Sequence, residues 1–227
     1  MAISTNPLAW LRSVQPRRAI ALLLLLLPLT VGAQTVRDLW LSMPTSLAPY
    51  LSTSLRTQCL DFYDMHTDAQ TDNALKGKSR IDTLTNTFLA ATLSKAHTLQ
   101  MKLLPASGSA SSSSLSSCDS VLCVVRSWDG PKRDSEVQLF DRQWKPLQAP
   151  LTFSADSFVC RPDTMSEERF SRLVALLDPI MFSVSLSPAE NVLLVKLSPV
   201  VPNPEDEKAI EQILVQRKLK WDGKTFK

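Results

Sequence analysis

Apolar positions recur along the chain in two rhythms. Val36, Leu39, Trp40 and Met43 stand at i, i+3, i+4 and i+7, which predicts a short helix. A second helix is predicted from Ser46, with Ser46 as its cap and Pro49 in its first turn. Its buried stripe is Leu47, Leu51, Leu55, Cys59 and Phe62. A polar segment, 67–79, follows, and then the rhythm shortens to two. "FLAATLS" alternates at Leu89, Ala91 and Leu93, and "TLQMKLL" at Leu99, Met101 and Leu103, with residues 95–98 as the hairpin between them. "SVLCVVRSW" is apolar at every position from Val121 to Val125, as a central strand buried on both faces would be. "DGPKRD", "SEVQLF" and "DRQWKP" add a turn, a strand and a turn. The result is a meander of about four strands, interrupted by the serine-rich loop 106–117.

The second half repeats the order. Thr164-Met165-Ser166-Glu167 reads as a capping box, and Phe170, Leu173, Val174 and Leu177 form the stripe of a helix that ends at Asp178-Pro179. "MFSVSLS", the turn "PAEN" and "VLLVKLS" form a hairpin. Asn203-Pro204-Glu205 opens a short acidic helix. Ile213, Val215, Leu219 and Trp221 alternate into a last strand, with Lys218 and Lys220 on its other side, as suits an edge. The expected fold class is α+β: antiparallel meanders with helices packed on one face. Two similar helix-then-hairpins halves, about 34–150 and 151–227, form one domain over 34–227.

The N-terminus changes the picture of where this domain works. Arg17 and Arg18 precede the apolar run Ala19 to Thr30, and Val31-Gly32-Ala33 offers a small-residue cleavage site. This is the pattern of a cleaved signal peptide over 1–33, and the run is well short of the ~20 residues that span a bilayer. The expected product is exported, periplasmic or secreted, with no membrane span after cleavage. Charge follows from this. The chain has 25 Lys and Arg against 22 Asp and Glu, but residues 1–33 hold Arg12, Arg17 and Arg18 and no acid. The remaining 22 basic and 22 acidic residues balance, which leaves no basic stripe for nucleic acid.

Four cysteines in an exported chain raise the question of disulfides. Cys118 and Cys123 are too far apart along one strand to bridge. Two pairings remain: Cys59–Cys118 with Cys123–Cys160, or Cys59–Cys123 with Cys118–Cys160. Cys59 and Cys123 both fall on apolar faces, which favours buried free thiols. The spacing is unlike a zinc site.

The blocks "VRDLWLSMPTSLAPYL", "LDFYDM", "IDTLT", "TLQMKLLP", "FDRQWKPL" and "LKWDGKTF" together resemble a domain-of-unknown-function family of exported proteins from Bacteroidales. The resemblance runs through the mature chain in order. It implies a Gram-negative envelope and supplies no catalytic residues. It also implies O-glycosylation sequences of the form Asp-Ser/Thr followed by an apolar, non-aromatic residue. Thr83, Ser120 and Thr164 fit that form, although Asp, Ser and Thr also gather at turns and caps for backbone reasons.

Candidate chemistry is sparse. "LDFYDMH" places Asp61, Asp64 and His66 at the end of the second helix, and His97 is the other histidine. Two histidines so far apart do not make the short-spaced zinc motif, and a histidine in a last turn suits the helix dipole. No G-x-S-x-G elbow and no Ser-x-x-Lys occurs, and the five glycines form no dinucleotide fingerprint. Trp128, Trp144 and Trp221 lie near predicted turns, where indoles dock partners or sugars. The pattern points to a non-enzymatic binding or accessory protein of the envelope, with a protein or glycan partner and no cofactor. A hydrolase using Asp61, Asp64, His66 or His97 is the alternative.

Overall fold

The computed structural model describes residues 34–106, 120–201 and 203–227. The leader expected over 1–33, Cys118 and nearly all of the serine-rich loop lie outside the described residues. Residues 34–227 form one compact unit. It is an α+β fold built on a six-stranded and a three-stranded antiparallel sheet.

The chain enters through α1 (Val36–Ser42), where Thr35 and Asp38 form a reciprocal capping box. Residues Thr45–Leu47 then make a single 3-10 turn, and α2 (Thr53–Asp64) starts later than the periodicity predicts, with the Ser52 hydroxyl accepting from the Leu55 amide. Proline explains the delay. Ala48 precedes Pro49 and takes φ −148°, ψ 73°, because the residue before a proline is pushed out of the helical region. The break lets Ala48 and Leu51 bury completely.

Six strands follow in sequential order: β1 (Thr71–Asp72), β2 (Lys78–Leu84), β3 (Phe88–Ser94), β4 (His97–Pro105), β5 (Ser120–Asp129) and β6 (Arg133–Phe140). The first two are absent from the sequence pattern. Their inward positions are partly polar: Ser79 is buried, donates to the Leu93 carbonyl at 2.6 Å and accepts from Asn73. A hydroxyl with both partners satisfied takes the place of an apolar residue.

The large sheet is covered on both faces. Leu122 and Val124 of β5 join the core made with α1 and α2, whereas Val121, Cys123 and Val125 join a second core. That is why the strand is apolar at every position. The second core is closed by α3 (Glu167–Ala175), β7 (Phe182–Leu186), β8 (Val192–Leu197), α4 (Pro204–Glu211) and β9 (Arg217–Lys220), with β7, β8 and β9 forming the small sheet. Ser166, not Thr164, caps α3 by accepting from the Arg169 amide.

Side chains stitch the two sheets together. The free edge of β7 donates its amides at Phe182, Val184 and Leu186 to Asp134, Ser135 and Gln100 of the large sheet. An edge whose N–H groups are taken offers no template to a stranger. Lys102 of β4 crosses the same gap and donates to the carbonyls of Ser187, Pro188 and Glu190 in the β7–β8 turn.

Candidate functional site

An up-and-down meander puts alternate turns at the same end. The β1–β2, β3–β4 and β5–β6 turns therefore share one end of the large sheet, where backbone bonds tie the first to the segment before α2 and the second to the end of β5. The Ala74 amide donates to the Tyr50 carbonyl at 3.0 Å, and the Asp129 amide donates to the Ala96 carbonyl at 2.8 Å. This turn end collects the molecule's most distinctive side chains.

His97 opens β4 opposite Trp128 in the register with β5. The two rings stack with centroids 5.2 Å apart and planes 10° from parallel. On the other side, Nδ1 of His97 bonds the Tyr50 hydroxyl. Ser94 also bonds that hydroxyl and moderates the upward push that burial exerts on the phenol pKa. Arg126, two residues before Trp128 on the same strand face, lies 5.4 Å from the indole centroid and is paired with Glu136 at 2.5 Å. His97 is only 7% exposed, and its Nε2 has no partner among the described residues. Trp128 remains 39% exposed. Leu75, at the tip of the β1–β2 turn, is 61% exposed.

Burial, and then the nearby Arg126 charge, depress the His97 pKa from 6.5 to about 4. The imidazole is neutral in the folded protein. Because the unfolded chain takes up a proton below about pH 6.5 and the folded one does not, folding loses stability as pH falls from 6.5 toward 4. We expect a loss of roughly 1 kcal/mol after allowance for solvent screening. Urea melts at pH 7.5 and 5 check this: the wild-type midpoint should fall further than that of His97→Gln.

The sequence candidates are dispersed. Asp61, Asp64 and His66 are exposed at the C-terminal end of α2. Asp64 accepts two bonds from the Arg37 guanidinium, 2.6 and 2.8 Å, which holds its carboxyl below the usual range. His66 takes the left-handed conformation, φ 51°, just after the helix. Tyr63 explains the rest of "LDFYDMH": its hydroxyl bonds both backbone groups of Leu84, at the far end of β2 from the turn end. No hydrogen bond or ion pair joins Asp61, Asp64 or His66 to His97 among the described residues. None of their His, Cys, Asp and Glu groups forms a metal-holding cluster of three or more.

The three tryptophans also separate. Trp144 is buried, with Nε1 donating to Ser42 at 3.3 Å and its ring edge-on to Phe140. Trp221 is half-buried against Phe226 and donates to the Pro105 carbonyl at 2.7 Å. Trp128 alone of the three joins the turn end. Thr83 is half-buried and Thr164 exposed, while Ser120 is buried and accepts from Arg142 at 2.9 Å. Cys59, Cys123 and Cys160 are free. Cys59 and Cys123 belong to different cores on opposite faces of the sheet, which removes the Cys59–Cys123 pairing. Burial pushes both thiols up in pKa, so they are poor nucleophiles. Tyr50, Ser94 and Arg126 escape the sequence reading. The one trace of them is the i, i+2 spacing of Arg126 and Trp128.

The fold and this end define an α+β protein whose large sheet gathers Tyr50, His97, Arg126 and Trp128 at one turn end. Residues 28–226 match the family described as "Protein of unknown function (DUF3256)", and the chain belongs to that family. It is similar to the solved structure of a domain of an uncharacterized protein from Porphyromonas gingivalis W83. The two share 24% sequence identity and a TM-score of 0.63, over 85% of this chain and 98% of that one. That likeness concerns the fold. No curated protein matches the sequence. Among the described residues, no helix is long and apolar enough to cross a membrane.

Proposed function

We infer that this is an exported envelope protein that acts by binding, without catalysis of its own, through the turn end of the large sheet. Export follows from the Arg17-Arg18 pair, the apolar run and the Val31-Gly32-Ala33 site. The single observation that carries the binding reading is Trp128. Its indole is exposed, yet it stacks on His97 and has the Arg126 guanidinium 5.4 Å from its centroid. An aromatic anchor already held in place loses little freedom on binding. Leu75 offers a second apolar contact from the neighbouring turn, and Tyr50 braces the histidine from behind.

The test is capture of the tagged mature chain from mildly crosslinked cell envelopes, wild type beside a Leu75→Ser, Trp128→Ala double variant. One dominant envelope component should accompany the wild type and fall by roughly tenfold with the variant, whose melting temperature stays near wild type. Equal capture by both chains, or retention of the protein inside the cytoplasm, contradicts the reading.

A further inference from the structure

We propose that the groove between the β1–β2 and β3–β4 turns binds a multiply charged anion through its phosphate or carboxylate groups. This deepens the proposed function and rests on the turn end being the binding surface. The groove measures about 330 Å³, within the range of small-ligand sites. Lys76, Lys78, Arg80 and Lys95 line it together with the hydroxyl residues Thr92 and Ser94, and no carboxylate does.

The charges do not cancel. Asp72 answers Lys78 at 2.6 Å, and Asp82 answers Arg80 at 2.6 Å while accepting from Thr92 at 2.7 Å. Lys76 and Lys95 have no carboxylate partner among the described residues. Isolated surface lysines carry no such meaning, because water solvates them at no cost. Here the backbone that carries each of them belongs to a built turn. Asn73 is 7% exposed, and its carboxamide nitrogen donates to Ser79 and to the Leu93 carbonyl, which anchors the β1–β2 turn to β3. Its oxygen accepts from the Leu75 and Gly77 amides. Between them Lys76 takes φ 57°, a conformation in which glycine or asparagine is at home and lysine is not. Unusual backbone geometry held by its surroundings is commonest where a side chain must be aimed. Lys95 occupies the tight β3–β4 turn, beside Ser94 paired with His97. Two lysines on anchored turns, beside Lys78 and Arg80 in one groove, bring together cations that suit phosphate or carboxylate oxygens.

The experiment is a titration of the ¹⁵N-labelled mature chain with sodium tripolyphosphate, and in parallel with digalacturonate, followed by amide shifts. Saturable shifts confined to residues 73–80 and 92–96 are expected. They should weaken roughly tenfold in Lys76→Glu, Lys95→Glu, and also on raising salt from about 20 to about 150 mM. Lys218→Glu, Lys220→Glu should bind as wild type. Response to tripolyphosphate alone assigns a phosphate ligand, and response to digalacturonate alone a carboxylated glycan. Shifts that spread to Lys218 and Lys220 without saturating, or binding unchanged in Lys76→Glu, Lys95→Glu, overturn the proposal. Trp128→Ala should leave the titration intact. Loss of partner capture in that variant without anion binding defeats this inference alone, whereas anion binding without any Trp128-dependent partner defeats the broader reading.

Discussion

Replacing Trp40 by alanine is expected to destabilise the protein by about 4 kcal/mol, the largest effect of any single substitution considered. Trp40 is fully buried in the core between α1, α2 and the large sheet. Its indole Nε1 donates to the Arg56 carbonyl at 3.0 Å, so one side chain both fills the core and sets α1 against α2. Alanine leaves a large cavity that two helices and a sheet cannot collapse around. Trp40→Phe separates the two contributions. It keeps most of the ring and loses the donor, at a cost of about 1 kcal/mol. Urea unfolding of the three proteins reads both steps. Similar midpoints for Trp40→Ala and wild type would mean that α1 does not pack as described.

The second large effect lies at Lys102. Its Nζ is 2.6, 3.0 and 2.8 Å from the carbonyls of Ser187, Pro188 and Glu190, and it stands 6.0 Å from the Phe88 ring centroid. Burial lowers its pKa, so the ammonium depends on those carbonyls for what water would otherwise give it. Lys102→Ala removes the stem and the amine together and should cost about 3 kcal/mol. Lys102→Met keeps the stem and isolates the amine, at about 2 kcal/mol, since the turn carbonyls can recover part of their bonding from water. Hydrogen exchange gives the sharper readout. Amides of β7 and β8 should lose protection in Lys102→Met, while those of β2 and β3 hold. Uniform loss would show that the lysine does not couple the two sheets locally.

How far the sequence foretold this depends on which forces set each element. The unbroken apolar run of β5 is legible because both its faces are buried, and α1 is legible because its stripe is regular. α2 begins late because a backbone clash at Ala48-Pro49 outweighs an apolar stripe that spans the break. β2 is hidden because Ser79 satisfies its hydroxyl through the Asn73 side chain and, on the next strand, the Leu93 carbonyl, bonds that no periodicity shows. The site follows the same division. Trp128 and His97 each stand out beside predicted turns. Their contact depends on the pairing of β4 with β5, and Tyr50 reaches them from an irregular segment that no periodicity describes. Trp144 shows the converse. It sits in a turn as expected, but with φ 64°, and the Asp141 carboxylate takes the Gln143 and Lys145 amides, so the ring turns inward onto Phe140.

The most direct test of the turn end as the binding surface is site-specific photocrosslinking in intact cells. A photoreactive phenylalanine analogue is placed in turn at Leu75, Lys95, Asp61 and His66. A discrete adduct is expected from positions 75 and 95 and none from 61 and 66. Adducts from 61 or 66 with none from the turn end would contradict it.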